Sequence, residues 1–80
     1  GLLAEELTLA SAVRMLRKAG AKRVSREAGE ELRRALGEFG MAVAREAVKY
    51  ALSSGRTTVS GRDVRDAVRR VFGRRDGHAS

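Results

Sequence analysis

The chain has 80 residues, which is enough for one small domain, and it contains no cysteine, proline or tryptophan. The absence of cysteine excludes a disulfide framework and a thiolate metal site, and a single histidine excludes a histidine-based metal cluster or a buried Ser-His triad. Lysine and arginine total 17 against 10 acidic residues, so the net charge of +7 indicates a polyanionic partner, for which DNA, RNA and an anionic membrane are the candidates.

The first two predicted elements are a short helix and a long helix. The short helix runs from about Leu9 to Ala19, between an N-cap at Thr8 and a terminating glycine, Gly20. The long helix runs from about Arg26 to Ser53, after an N-cap at Ser25. At about 1.5 Å per residue it would be roughly 42 Å long. A folded chain of this length is only about 30 Å across, so the long helix would protrude from its own monomer.

The third predicted element is a helix from about Gly61 to Phe72. Ser60, followed three residues later by Asp63, indicates a capping box with aspartate in place of the usual glutamate. No β-branched run of strand length separates the three helices, so the predicted fold class is all-α. The chain then divides into an N-terminal extension, one domain and a flexible C-terminal tail, at residues 1–6, 7–72 and 73–80.

An apolar stripe on the long helix indicates a dimer interface. Ordering a chain costs about 1.5 kcal/mol per residue, and a chain whose middle helix protrudes cannot offset this cost with its own apolar surface. We therefore predict obligate dimerisation. Gly29 and Gly37 each cost this helix about 1 kcal/mol relative to alanine. Gly37 would allow two helices to cross closely, whereas the sequence offers no reason for Gly29. The predicted interface residues are Leu32, Leu36, Phe39, Val43, Ala47 and Tyr50.

Three parts of the chain resemble archaeal histones. Residues 9–25 are similar to their first helix and first loop, and residues 55–64 are similar to their second loop and the start of their third helix. Between these, Phe39-Gly40 and residues 45–51 match the long central helix in spacing and character. The resemblance covers nearly the whole chain. It implies a histone fold, in which a short, a long and a short helix pair head to tail with a second copy in a handshake dimer.

The resemblance also implies a surface for double-stranded DNA. Histone dimers contact phosphates and the minor groove rather than base edges, through their paired first helices and the loops at the two ends of the dimer. On that basis Arg14 would enter the minor groove with Thr58 paired to it, and Asp63 would hold Arg56 in a loop clamp. The implied DNA-binding residues are Arg14, Arg17, Lys18, Lys22, Arg23, Arg56, Thr57 and Thr58.

The chain departs from the family pattern at positions that matter for assembly. Thr57 stands where relatives usually carry lysine, which weakens one phosphate contact per chain. Ser53 and Asp66 stand where histidine and leucine are frequent in the contact between dimers, and Leu52 stands where a charged residue is common. Whether dimers build tetramers or fibres, or use a different contact, is left open. The candidate dimer–dimer contact consists of Tyr50, Ser53 and Asp66.

These features predict a structural chromatin protein that binds, bends and compacts double-stranded DNA as a homodimer with little base specificity, and higher multimers on DNA are left open. We expect it in the cytoplasm, associated with the nucleoid, with no enzymatic activity, cofactor, metal, small-molecule substrate or membrane binding. The alternative is a histone-fold component of a heterodimeric complex of the transcription-factor or kinetochore type. A basic amphipathic membrane binder is disfavoured, because the loops are glycine-capped and the long helix is apolar around most of its C-terminal half.

Overall fold

The computed structural model describes residues 7–76 as three α-helices, with no strand among those residues. Helix α1 spans Leu9–Lys18, α2 spans Arg26–Ser53 and α3 spans Gly61–Asp76. The predicted all-α class and the predicted order of short, long and short helices are therefore confirmed. None of these helices is long and apolar enough to cross a membrane.

Helix α1 begins and ends with the predicted signals. The Thr8 side chain accepts a hydrogen bond of 3.1 Å from the backbone N–H of Ser11, which satisfies one of the free donors of the first turn. The helix ends at Lys18, one residue before the predicted end, and Ala19 is its C-cap. Gly20 follows with φ of 123°, a left-handed conformation that favours glycine, and the chain leaves the helix there.

Helix α2 has the predicted bounds, and both of its ends follow from local contacts. The Ser25 hydroxyl accepts a hydrogen bond of 3.1 Å from the N–H of Ala28 at the N-terminus. At the C-terminus Gly55 adopts φ of 76°. The N–H of Arg56 then donates to the carbonyl of Ala51 at 2.9 Å, which completes a Schellman motif. This motif fixes the backbone of Arg56 at the start of the second loop.

Helix α3 is longer than the sequence predicted. It continues to Asp76, so the predicted end at Phe72 is wrong, and residues 73–76 of the predicted flexible tail are helical. A glycine inside a helix lowers its stability by about 1 kcal/mol but ends it only where the backbone turns left-handed. Gly73 has no positive φ, so it does not end the helix. Residues 1–6 and 77–80, which the sequence assigned to the extension and the tail, lie outside the described residues.

The unit that ends at Phe39 contains α1 and the first part of α2. Ala12 of α1 is buried, and Gly29 of α2 is buried as well. A Cβ atom built at Gly29 would lie 2.9 Å from Leu9 Cδ1 and 2.9 Å from Val13 Cγ2. Carbon atoms need about 3.5 Å or more, so only glycine allows α1 to pack this closely on α2. This contact supplies the reason for Gly29 that the sequence lacked.

The unit that begins at Gly40 contains the second part of α2 and α3. Its core consists of small side chains, because four of its apolar residues are buried and three of these are alanines: Val43, Ala47, Ala51 and Ala67. Small residues allow the two helices to approach closely. Several larger apolar side chains stay exposed in the single chain, namely Val48, Leu52, Val59, Val64, Val68 and Phe72.

The predicted dimer stripe is only partly covered within the chain. Val43 and Ala47 are buried, whereas the other four residues are half-buried: Leu32, Leu36, Phe39 and Tyr50. The single chain therefore leaves much of the stripe accessible, and its role as an interface stays a prediction.

Candidate nucleic-acid interface

Helix α1 presents a compact cationic face. Arg14, Arg17 and Lys18 are all exposed, and at about 100° per residue they lie on the side of the helix opposite the buried Ala12. The sequence of α1 contains no acidic residue. Arg17 and Lys18 occupy the last turn, where the helix dipole favours cations. The positive charge of this face is therefore not neutralised within its own helix.

The cations of the first part of α2 are placed differently. Arg26 pairs with Glu30 at 3.0 Å, and Arg34 pairs with Glu31 and, at 3.7 Å, with Glu38. These pairs link successive turns of one helix and offset the positive charge of the paired arginines. Between α1 and α2, the first loop exposes two more of the predicted cations, Lys22 and Arg23. The positive charge of this unit that is available to a polyanion thus lies on α1 and the first loop.

The second loop is built around the pair that the resemblance implied. Arg56 Nη1 donates to Asp63 Oδ2 at 2.8 Å, and Arg56 Nη2 donates to Asp63 Oδ1 at 2.9 Å. Arg56 Nη1 also donates to the carbonyl of Thr58 at 3.3 Å. A planar guanidinium that binds a carboxylate through two parallel bonds is held in orientation as well as in place. The Arg56 side chain is still 42% exposed, so its outer edge is accessible.

Asp63 anchors the loop because it accepts bonds from three directions. Besides Arg56, it receives the backbone N–H of Ser60 at 2.9 Å and the Ser60 hydroxyl at 3.1 Å. The Asp63 N–H in turn donates to Ser60 Oγ at 3.3 Å, so the predicted capping box forms. The Arg56 guanidinium, followed by the Ser60 N–H, holds the pKa of Asp63 well below its usual range, and Asp63 raises the pKa of Arg56. The carboxylate therefore stays ionised at neutral pH.

The two threonines of the second loop are exposed beside this clamp. Thr57 and Thr58 lie between Gly55, two residues after the end of α2, and Ser60, which caps α3. The Thr58 carbonyl accepts a hydrogen bond from Arg56, which holds the loop backbone, and both threonines are exposed. Hydroxyl groups in such a loop can donate hydrogen bonds to phosphate oxygens.

The three residues of the candidate dimer–dimer contact lie together. Tyr50, Ser53 and Asp66 line one groove between the end of α2 and α3, next to the Arg56–Asp63 clamp. Asp66 is ion-paired within α3, to Arg69 at 3.5 Å and to Arg62 at 3.9 Å. A paired charge therefore lines this groove at the position where the resemblance implies a leucine.

The sequence did not predict an ion pair that joins α2 to α3. The Glu46 side chain is only 10% exposed, and its Oε2 atom lies 3.2 Å from Arg70 Nε of α3. Its Oε1 atom lies 3.4 Å from Lys49 Nζ. Position 46 borders the apolar stripe on the helical wheel, next to position 50, which indicates partial burial. A glutamate is seldom buried without a partner, but no local pattern identifies that partner as Arg70 of another helix.

Comparisons with known proteins identify the family. Residues 5–68 match the family described as histone-like transcription factor (CBF/NF-Y) and archaeal histone. The chain is 44% identical over 64 residues to one of the subunits of archaeal histone HAN1 from Thermococcus zilligii. It is 45% identical over 64 residues to probable archaeal histone 3 of Methanocaldococcus jannaschii. Each match covers 80% of this chain and 96% of the relative.

The chain therefore belongs to the histone-like transcription factor and archaeal histone family. The three helices of residues 7–76, in the order short, long and short, are the arrangement of the histone fold.

Proposed function

We propose that this protein is a structural chromatin protein that binds double-stranded DNA with little base specificity. The observation that carries the proposal is the placement of charge. The cations on α1 and the first loop are exposed without acidic neighbours on α1, and the second loop holds Arg56 in a preorganised clamp. Arginine and lysine on DNA phosphates release counterions, and this term dominates binding that does not depend on sequence. Membership of a family that includes archaeal histones supports the same function.

The proposed active form is a head-to-tail homodimer. The apolar stripe of α2 is half-buried in the single chain, and apolar residues of α3 such as Val64 and Val68 are about two-fifths exposed. Burying apolar surface contributes about 25 cal/mol per Å², so a second copy that covers these side chains stabilises both chains. The dimer carries 2 × 7 = +14 formal charges. It brings two copies of α1 and both kinds of loop to one DNA duplex.

The proposed mechanism combines phosphate neutralisation with DNA bending. Arg17, Lys18 and Arg23 contact phosphates, and Arg14 enters the minor groove where it faces the protein. Arginine suits this task because its planar guanidinium is more weakly hydrated than an ammonium group. The sequence preference then comes from the width and flexibility of the DNA and not from base edges. Bending by successive dimers compacts the DNA, so the protein is associated with the chromosome.

Salt titration with matched variants tests this proposal. Affinity for a short duplex should fall steeply with salt, with a slope of about 0.9 per phosphate contact in log–log form. Arg14→Ala should weaken binding about tenfold, because each dimer loses two arginines from the minor groove. Arg26→Ala, which removes the same charge from a residue paired with Glu30, should change affinity little. Binding that ignores salt, or equal effects of the two variants, would contradict the proposed interface.

A second candidate function is that of one half of a heterodimer. The family description includes histone-like transcription factors, and the name of the Thermococcus zilligii relative describes it as one subunit of HAN1. In this chain Leu52 is 60% exposed, which gives a further apolar surface to a partner. The mass of the purified chain distinguishes the two functions. A stable homodimer supports the first, and a monomer with molten side-chain packing that folds only with another protein supports the second.

A further inference from the structure

One groove at the end of α2 holds two arginines. It has a volume of about 440 Å³ and lies between the end of α2 and the first two turns of α3, within the unit that begins at Gly40. Arg56 of the second loop and Arg62 of α3 both line it. Two exposed serines, Ser53 and Ser54, line it as well. We call it the second-loop groove.

The two arginines of this groove are held to different extents. Arg56 is fixed by two parallel bonds to Asp63, and its side chain is 42% exposed. The Arg62 side chain is 83% exposed, and its Nε atom lies 3.9 Å from Asp66 Oδ2. The other carboxylate oxygen of Asp66 lies closer to Arg69, at 3.5 Å from its Nη1 atom. Exposed pairs of this length contribute little, so a phosphate oxygen can replace the carboxylate at Arg62.

The position of Arg62 gives the fold little benefit. It is the second residue of α3, and the dipole of a helix disfavours a cation in its first turn. An arginine four residues before an aspartate is also the less favourable order for an ion pair along a helix. Since most of its side chain is in contact with solvent, Arg62 adds little packing. An anion bound in the groove would stabilise this otherwise unfavourable charge.

We propose that Arg56 and Arg62 bind one DNA phosphate between them in the second-loop groove, with the hydroxyl groups of Ser53 and Ser54 as further donors. Arginine donates parallel hydrogen bonds to phosphate oxygens, and serine hydroxyl groups bind the DNA backbone without reading bases. Arg56 is oriented in advance by its clamp, whereas Arg62 is free to turn toward the phosphate. This inference rests on the proposed function, because it adds Arg62 to the contacts with the same duplex.

The candidate dimer–dimer contact shares this groove, because Tyr50, Ser53 and Asp66 also line it. A symmetric contact places the same surface on both sides, so the arginines of two copies would meet there. A phosphate is the better occupant, since it replaces the hydration of Arg62 with charge-assisted hydrogen bonds. A bound duplex and a second dimer would exclude each other at this groove, so an experiment can distinguish the two occupants.

The test compares two variants of equal charge on one helix. Arg62→Gln removes the proposed phosphate contact. Arg65→Gln is the matched control, because Arg65 is also exposed and lies about 60° further round α3, on the side away from the groove residues Asp63 and Asp66. Fluorescence anisotropy over a range of salt concentrations measures the affinity of each variant for a short labelled duplex. Circular dichroism and light scattering measure the helix content and the mass of each variant.

We expect Arg62→Gln to lower the affinity about tenfold at low salt and to make its salt dependence shallower, equally for duplexes of different sequence. Arg65→Gln should stay within about threefold of the wild type. Asp66→Asn should raise the affinity, because it removes the anion that competes with phosphate for Arg62.

Equal losses of affinity in Arg62→Gln and Arg65→Gln overturn the inference, because the groove would then add nothing to the general charge of α3. It is also overturned if Arg62→Gln changes the mass of the protein but not its affinity for a short duplex, since the groove would then hold a second dimer. A wild type that binds no duplex DNA overturns the proposed function itself. An Arg62→Gln variant that binds as tightly as a DNA-binding wild type overturns only this inference.

Discussion

At the scale of single residues, the Arg56–Asp63 pair decides how the second loop presents its side chains. Asp63 is nearly buried and accepts bonds from Arg56 and from two groups of Ser60. An ionised carboxylate that receives several hydrogen bonds is favoured over its protonated form. The same contacts that place Arg56 at the proposed DNA surface therefore also make folding depend on pH.

The Asp63→Asn variant tests, at acid pH, whether stability depends on the ionisation of Asp63. An unfolded aspartate has a pKa of about 3.9, and the folded pKa of Asp63 is lower. The pair therefore adds stability above about pH 4, and this stability is lost as the pH falls further toward the folded pKa. We expect the variant to be less stable than the wild type at pH 7, with a difference that narrows below about pH 4. Urea unfolding across this range measures the difference.

Asp66→Asn is the control for this measurement. Asp66 is 44% exposed, and its ion pairs, at 3.5 and 3.9 Å, are longer than those of Asp63. Exposed pairs of this length contribute little to stability, so this variant should follow the wild type across the acid range. If Asp63→Asn and the wild type differ by the same amount at every pH, the carboxylate of Asp63 is not the linked group.

At the scale of elements, the approach of α1 to α2 depends on Gly29. Replacing a helical glycine with alanine normally stabilises a helix by up to about 1 kcal/mol. At Gly29 the new Cβ would meet Leu9 and the stiff β-branched side chain of Val13, both at 2.9 Å. Overpacking of this kind costs about 1–3 kcal/mol, which exceeds the gain in propensity. We expect Gly29→Ala to lower the free energy of unfolding.

Gly73→Ala is the matched control, because it should raise the free energy of unfolding where Gly29→Ala lowers it. Gly73 also lies inside a helix, but nothing lies within 4 Å of a Cβ atom built there. Only the propensity gain then remains, at most about 1 kcal/mol. Denaturant unfolding of both variants at one protein concentration compares the two glycines. Stabilisation by Gly29→Ala as large as that by Gly73→Ala would show that α1 does not approach α2 as closely as the structure places it.

The helices illustrate which features can be read from sequence. The caps at Thr8, Ser25 and Ser60 and the end of α2 at Ser53 involve contacts within a few residues, so the sequence predicted them correctly. The sequence did not predict the end of α3 correctly. Whether Gly73 ends the helix depends on the sign of its φ angle, which the sequence does not show. The reasons for Gly29 and for the Glu46–Arg70 pair lie in another helix, so no local pattern contains them.

The candidate site also has features that the spacing of residues predicts and features that it does not. The spacing of Arg14, Arg17 and Lys18 placed these cations on one face of a helix, and the structure exposes all three. Arg56 and Asp63 are seven positions apart in the sequence, across a loop and the first turn of a helix, and their pairing came from the family resemblance.

At the scale of the whole molecule, assembly is the property on which the proposed function depends. Helix α2 has 28 residues, or roughly 42 Å at 1.5 Å per residue, and its apolar stripe is incompletely covered by its own chain. Phe39 is the largest side chain of this stripe that carries no polar group, and it is half-buried in the single chain. A partner chain that covers Phe39 links folding to association, so stability should rise with protein concentration.

Phe39→Ala tests whether this stripe forms the dimer interface. Truncating a buried phenylalanine costs about 3–5 kcal/mol, and a homodimer loses two copies. We expect light scattering to give twice the chain mass for the wild type, and the unfolding temperature to rise with concentration. The variant should dissociate at concentrations where the wild type stays paired, whereas Phe39→Leu should retain most of the stability because it keeps an apolar side chain there. A single-chain mass combined with an unfolding temperature that does not depend on concentration would contradict the dimer.

DNA affinity should depend on dimerisation in the same way, because only a dimer places two copies of α1 on one duplex. The Phe39→Ala variant should lose affinity for DNA near the concentration at which it dissociates, and it should regain this affinity when the protein is concentrated.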